Sequence, residues 1–205
     1  MGGASSKPGS PCSPTDLSRS FEFLPPDMSE LRVALLGRSW SEKSSVGNFI
    51  LGKTAFDTGR EPPDCQKERG CIKRKDIVLV NTPDDVFLRL LTEQSLLRRH
   101  TDPGPHVLLL VVQPEDFTEE YKRWFCRLLE NLSDRSYHHS LILISTPRSE
   151  RPGFMETYRQ DPNIKEMIRK CQFRYLWRKD LELQEMLMRF NEIVKENNGE
   201  PLRLR

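Results

Sequence analysis

The stretch Gly37-Arg-Ser-Trp-Ser-Glu42-Lys43-Ser44 sets a glycine, a lysine and a hydroxyl at the spacing of a phosphate-cradling loop. In such a loop, backbone N–H groups at a helix N-terminus point at phosphate oxygens, the lysine reaches the terminal phosphates and the hydroxyl binds Mg²⁺. The pattern G-x-x-x-x-G-K-[ST] is met at Gly37, Lys43 and Ser44, but its second glycine is Glu42. The candidate phosphate contacts are therefore Gly37, Arg38, Ser39, Lys43, Ser44 and Ser45, with Ser44 also the candidate metal ligand; no residue stands out as a catalytic group. Glu42 opposes this in two ways. If the position needs a left-handed backbone, a non-glycine residue there costs about 1–2 kcal/mol. A carboxylate about 5 Å from a phosphate charge costs roughly 3 kcal/mol at an effective dielectric of about 20, similar to what Lys43 supplies.

The flanking elements can position this loop. Residues 31–36 (LRVALL) are apolar and lack Pro and Gly, as in a strand buried on both faces, and Gly37 ends the run. Residues 45–51 read as a short helix closed by Gly52. Residues 53–64, with Gly59, Pro62 and Pro63, read as a loop, and 65–76 as an edge strand turning into a second buried strand, 77–80, which ends in Asn81-Thr82-Pro83-Asp84. A helix over 88–99, a central strand over 106–112 and an aromatic-rich helix behind a Thr118 cap follow. Residues 141–144 form a fourth buried strand, 163–170 a short helix, 172–177 a last strand and 181–195 a final amphipathic helix. Strands alternating with helices imply a parallel sheet with right-handed crossovers and ligands at the carboxyl ends of its strands. The Lys43 loop and Asn81-Thr82-Pro83 both fall at such ends.

With 205 residues, 36% hydrophobic and 30% charged, the chain supports one sizeable core. A net charge of +2 points to no nucleic-acid partner. No stretch approaches the ~18 apolar residues of a membrane span. Residues 1–29, rich in Ser, Pro and Gly, are expected to be a disordered leader, 30–199 one domain and 200–205 a tail. The five cysteines are odd in number and lack metal-ligand spacing, which suits reduced thiols in the cytosol. The opening Met1-Gly2-Gly3-Ala4-Ser5-Ser6 fits N-myristoylation at Gly2, and Cys12 could carry the second, palmitoyl anchor that stable membrane attachment needs. A cytoplasmic protein held at a membrane by that lipid is expected; a chance match within the leader is the competing reading.

Several further stretches occur in a telling order: Gly47-Asn48-Phe49-Ile50-Leu51-Gly52, Cys65-Gln66-Lys67 with Gly70, Pro103-Gly104-Pro105-His106 followed by LLLVVQ, Phe117-Thr118-Glu119-Glu120, Cys171 with Arg174-Tyr175, and residues 194–199. Together they resemble the GIMAP family, GTPases of immunity-associated proteins, whose G domain is of the avirulence-induced-gene type. The resemblance implies an α/β fold, a P-loop NTPase G domain with a mostly parallel central sheet and helices on both faces. It also implies GTP or GDP with Mg²⁺ as cofactors, and homo- or hetero-dimers with other GIMAP-type G domains.

Against that pattern, Glu42 replaces the second loop glycine, Pro62 the switch threonine expected to bind Mg²⁺, and Asn81 and Asp84 an Asp and a Gly. After the fourth strand, Ser145-Thr146-Pro147-Arg148-Ser149-Glu150 has no guanine-reading aspartate, leaving Glu150 as the candidate acceptor. The asparagines that hold the base near Arg178 in the family are missing too. Each lost contact costs roughly 1–3 kcal/mol. Two readings compete: weak guanine-nucleotide binding with little or no hydrolysis, or a nucleotide-free pseudo-GTPase acting as a membrane-associated interaction module. On the second, Lys43→Ala is expected to leave thermal stability unchanged.

Overall fold

The computed structural model describes residues 23–84 and 90–205. Six strands form one sheet in the order β2-β3-β1-β4-β5-β6. They are β1 (Glu30–Leu36), β2 (Gln66–Ile72), β3 (Lys75–Asn81), β4 (Val107–Val112), β5 (Ser140–Ile144) and β6 (Tyr175–Trp177). All neighbours pair in parallel except β2, which runs antiparallel to β3. The apolar runs expected to be central are so: β4 is buried along its whole length, whereas β2 alternates between half-buried and exposed positions, as suits an edge. Lys73 and Arg74, both at positive φ, make the tight turn that joins β2 to β3.

The helices are α1 (Trp40–Leu51), α2 (Leu90–Thr101), α3 (Glu119–Leu132), α4 (Phe154–Arg159), α5 (Pro162–Lys170) and α6 (Leu183–Glu196). They cover both faces of the sheet. Val46 and Ile50 of α1 and Phe190 and Ile193 of α6 join one core layer; Leu97 of α2, Phe125 and Leu129 of α3 and Ile164 of α5 join the other. The helical aromatic stripe of α3 is therefore core, and Thr118 caps the helix by accepting from Tyr121 N–H (3.2 Å). Gly52 closes α1 in a left-handed conformation, as its sequence position suggests. Helix α4 has no counterpart in the sequence reading. It is short, none of its residues is buried, and so it carries no hydrophobic period.

The domain extends beyond its expected ends. Phe23 and Leu24, each 1% exposed, join the α1–α6 core layer, and Lys75 Nζ donates to the carbonyls of Pro25, Pro26 and Met28. These residues belong to the folded unit and not to a disordered leader; two large apolar side chains outweigh the turn-forming prolines that follow. At the other end Leu202 is buried and its N–H donates to Pro105 O (2.8 Å), while Arg205 N–H donates to Leu132 O (3.0 Å). Residues 200–205 thus line the sheet end opposite Lys43. Cys65, Cys126 and Cys171 are outside any disulfide whereas Cys71 is disulfide-bonded, a departure from the expectation of reduced cysteines throughout. Gly2 and Cys12, the expected lipid sites, lie outside the described residues.

Candidate functional site

Helix α1 begins at Trp40, so only Gly37, Arg38 and Ser39 separate it from β1. The helix therefore starts earlier than its sequence suggests, and the phosphate-cradling loop is correspondingly short. Ser39 is the N-cap; its hydroxyl accepts from Glu42 N–H (3.2 Å) and its carbonyl from Lys43 N–H (3.0 Å). Glu42 accordingly lies in the first helical turn, where an acidic side chain is favourable, and the expected left-handed strain does not arise. Arg38 N–H donates to the Tyr121 hydroxyl (3.0 Å), and Trp40 N–H to Asp84 Oδ2 (2.9 Å). The N–H groups of residues 38, 40, 42 and 43 are all satisfied from within the protein. Gly37 is required by close approach, because a Cβ there would stand 2.5 Å from the Val111 carbonyl oxygen.

Lys43 is 0% exposed. Its ammonium donates to Gly37 O (2.7 Å), Thr82 O (2.6 Å) and Asp84 Oδ1 (2.9 Å). Burial pulls its pKa below the ordinary lysine value, and the Asp84 carboxylate opposes that shift. Asp84 is itself held by Glu61, whose carboxylate accepts from Asp84 N–H. The Ser44 hydroxyl, also buried, accepts from Asn81 Nδ2 (3.0 Å), and Asn81 Oδ1 is buried without a partner. Ser45, on the next turn face of α1, is exposed.

These groups do not fit a bound Mg²⁺. Such an ion favours carboxylates and keeps several waters. Here Asn81 is neutral, Ser44 is engaged by its amide, and the nearby carboxylate of Asp84 is paired with an ammonium. The assignment of Ser44 as a metal ligand is therefore not supported by its surroundings.

In the segment after β5 from which an acceptor for guanine is expected, residues 145–150, Arg148 brings a cation. Its guanidinium binds Asp116 through two bonds (2.9 and 2.5 Å), and its N–H donates to Glu115 Oε1 (2.6 Å). The Asp116 carboxylate holds the pKa of Arg148 above its ordinary range and Arg148 holds that of Asp116 below; Glu115 is lowered, against burial, chiefly by the bond from the Gln113 side chain, with Arg148 adding to it. Glu150, the candidate acceptor, is exposed and its Oε2 is ion-paired with Lys179. Arg178 lies 4.3 Å over the Phe49 ring, and Arg38 stacks on Tyr121 and Trp124 (4.9 and 5.3 Å) rather than extending toward a phosphate. A cavity of about 280 Å³ opens between Arg38, Ser39, Glu42, Gln113, Asp116 and Tyr121.

The profile of the AIG1 family matches residues 31–204. The chain belongs to the AIG1 family. Among curated relatives it is 28% identical over 156 residues to GTPase IMAP family member 8 of Homo sapiens, covering 73% of this chain and 23% of that protein. It is 25% identical over 208 residues to immune-associated nucleotide-binding protein 9 of Arabidopsis thaliana, covering 88% and 60%. The chain thus spans under two thirds of the length of these relatives. Among solved structures, Toc33 of Arabidopsis thaliana in complex with GDP and Mg²⁺ superposes with a TM-score of 0.64 at 13% identity, covering 87% and 89% of the two chains. The FeoB G-domain of Methanococcus jannaschii gives 0.52 at 13% identity, covering 82% and 99%. These likenesses show the fold, a P-loop GTPase-type G domain.

Within this AIG1-family domain, the expected phosphate residues Gly37, Arg38, Ser39, Lys43 and Ser44 do come together, but each faces a partner from the protein itself. Sequence reasoning missed three members of this set. In the sequence Asp84 reads only as the replacement of a glycine, Glu61 as part of a loop, and Tyr121 as core. The signal for Asp84 was legible in principle: a carboxylate just past the end of β3 lies at the same sheet edge as Lys43.

Proposed function

We propose that this AIG1-family chain is a G domain that binds guanine nucleotide weakly, with little or no hydrolysis, and acts by docking on other G domains of its kind. The observation that carries this reading is the buried Lys43 ammonium, already saturated by Gly37 O, Thr82 O and Asp84. A nucleotide must replace good bonds with bonds of the same kind, which leaves little net affinity. The absence of a fit for Mg²⁺ removes the ion that neutralises developing charge in phosphoryl transfer. Support for nucleotide comes from kinship: the curated relatives are named as a GTPase and as a nucleotide-binding protein. Support for docking comes from the Toc33 structures, one described as a dimerization-deficient mutant and another as showing that dimerization matters for GTPase activity.

Calorimetric titration with GTP, GDP and ATP, with and without Mg²⁺, tests this. Binding weaker than about 10 μM that prefers guanine and ignores Mg²⁺ agrees with the reading; micromolar, Mg²⁺-dependent binding with rapid turnover overturns it. The Arg148–Asp116 pair favours a second reading, the nucleotide-free pseudo-GTPase, because it puts a paired cation in the segment from which a guanine acceptor is expected. Absence of heat at millimolar nucleotide selects that reading. Membrane attachment through Gly2 belongs to the same proposal and rests on the N-terminal motif. Co-expression with the acylating enzyme should add the mass of a myristoyl group, and Gly2→Ala should abolish the gain.

A further inference from the structure

We infer that Asp84 is an internal stand-in for phosphate: its carboxylate closes on Lys43 and on the α1 N-terminus, and a phosphate must displace it to bind. One oxygen takes the Lys43 ammonium (2.9 Å) and the other takes Trp40 N–H (2.9 Å). These are the two kinds of donor, a lysine and a helix-terminal N–H, that such a loop offers an oxyanion. The pair is built so that the carboxylate forms its outer side. Lys43 is 0% exposed and Asp84 30% exposed, so an anion arriving from solvent meets Asp84 before it meets the ammonium. Glu61 holds Asp84 in place by accepting its N–H. The latch thereby ties together the loop before β2, the end of β3 and the start of α1.

The consequence is competition. A site open for only a fraction of the time shows an apparent Kd raised by the inverse of that fraction. A tethered carboxylate acts at an effective concentration in the millimolar range or above, so an anion must outbid a ligand that never diffuses away. With the latch closed nine-tenths of the time or more, removing the carboxylate tightens phosphate binding at least tenfold. The inference rests on reading the domain as one built around a phosphate seat. It adds that the seat is occluded from within, and that whatever draws Asp84 or Glu61 away raises affinity.

The experiment is calorimetry on the full chain with inorganic pyrophosphate, GDP and ADP in the absence of Mg²⁺, for the unmodified protein, Asp84→Ala, Asp84→Asn and Asp84→Ala/Lys43→Ala. Asp84→Asn keeps the side-chain shape and an acceptor for Trp40 N–H, and so carries the test should Asp84→Ala fold poorly. The expected result is pyrophosphate binding at least tenfold tighter in the single variants, with the gain lost in the double variant. Single variants that bind pyrophosphate no tighter than the unmodified protein, including no binding by any of them at millimolar concentration, overturn the latch. The nucleotides separate this outcome from the fate of the broader reading. If the variants gain pyrophosphate, GDP and ADP alike, the latch stands and guanine preference falls. If the unmodified protein prefers GDP to ADP and the variants bind no tighter, the guanine reading stands and the latch falls.

Discussion

Replacing Lys43 with alanine in nucleotide-free protein is expected to destabilise the fold, although the residue lies in a ligand-binding motif. The ammonium is fully buried and serves three acceptors, two of them the backbone carbonyls of Gly37 and Thr82. Removing one partner of a buried ion pair costs about 3–5 kcal/mol. Asp84 is 30% exposed and keeps Trp40 N–H, so water can reach its freed oxygen and the lower end, about 3 kcal/mol, applies. For a domain of this size each kcal/mol moves Tm by about 2–4 °C, which places the drop at roughly 6–12 °C. Thermal melts after nucleotide stripping measure it directly, and urea unfolding gives the free energy. Lys43→Met fills the space of the stem and should recover part of the loss. In a double-mutant cycle with Asp84→Asn, a coupling of about 0.5–3 kcal/mol is expected between groups in contact. An unchanged Tm for Lys43→Ala would show that the ammonium is hydrated and unpaired, and the occluded-site reasoning would collapse with it. Sequence alone assigned the nucleotide-free state that unchanged Tm; burial reverses the expectation.

Three further outcomes follow from the same structure. His106 is buried, with Nδ1 accepting from Arg32 N–H (2.9 Å), and desolvation lowers its pKa from 6.5 to about 4. The unfolded chain therefore binds the proton first on acidification: stability is full above about pH 6.5 and falls toward pH 4, by roughly 3 kcal/mol at about 1.4 per pKa unit; His106→Gln should flatten that slope in denaturation measured from pH 7 to 4. Gly37→Ala drives a Cβ to 2.5 Å from the Val111 carbonyl oxygen and should cost about 1–3 kcal/mol by chemical denaturation, toward the upper end because the obstacle is backbone. Phe23→Ala should cost about 3–5 kcal/mol, as for a buried aromatic; a loss under 1 kcal/mol would place that segment outside the folded domain.

Much of the fold was legible because its signals are local. The apolar runs of β1, β3, β4 and β5 are too continuous for surface strands, and Thr118 and Gly52 mark helix ends by chemistry that acts within a few residues. Helix α4 and the burial of Phe23 and Leu202 were not legible, since the first lacks an apolar period and the others are decided by what the chain ends happen to cover. The motif residues were found, but Ser39 rather than a later position became the N-cap, which turned Glu42 from a strained loop residue into a helical one.

From its sequence alone this protein is determined as an α/β chain with a Lys-Ser pair at the carboxyl end of its first strand, because periodicity and spacing are properties of neighbouring residues. Only the tertiary structure decided what that lysine holds. Asp84 meets Lys43 through the parallel pairing of β1 with β3, which brings the two strand ends to one edge, and Glu61, just before β2, meets Asp84 through the antiparallel pairing of β2 with β3. Pairwise electrostatics falls off with distance in space and is blind to distance in sequence. The same residues that spell a phosphate site therefore fold into one that is already filled.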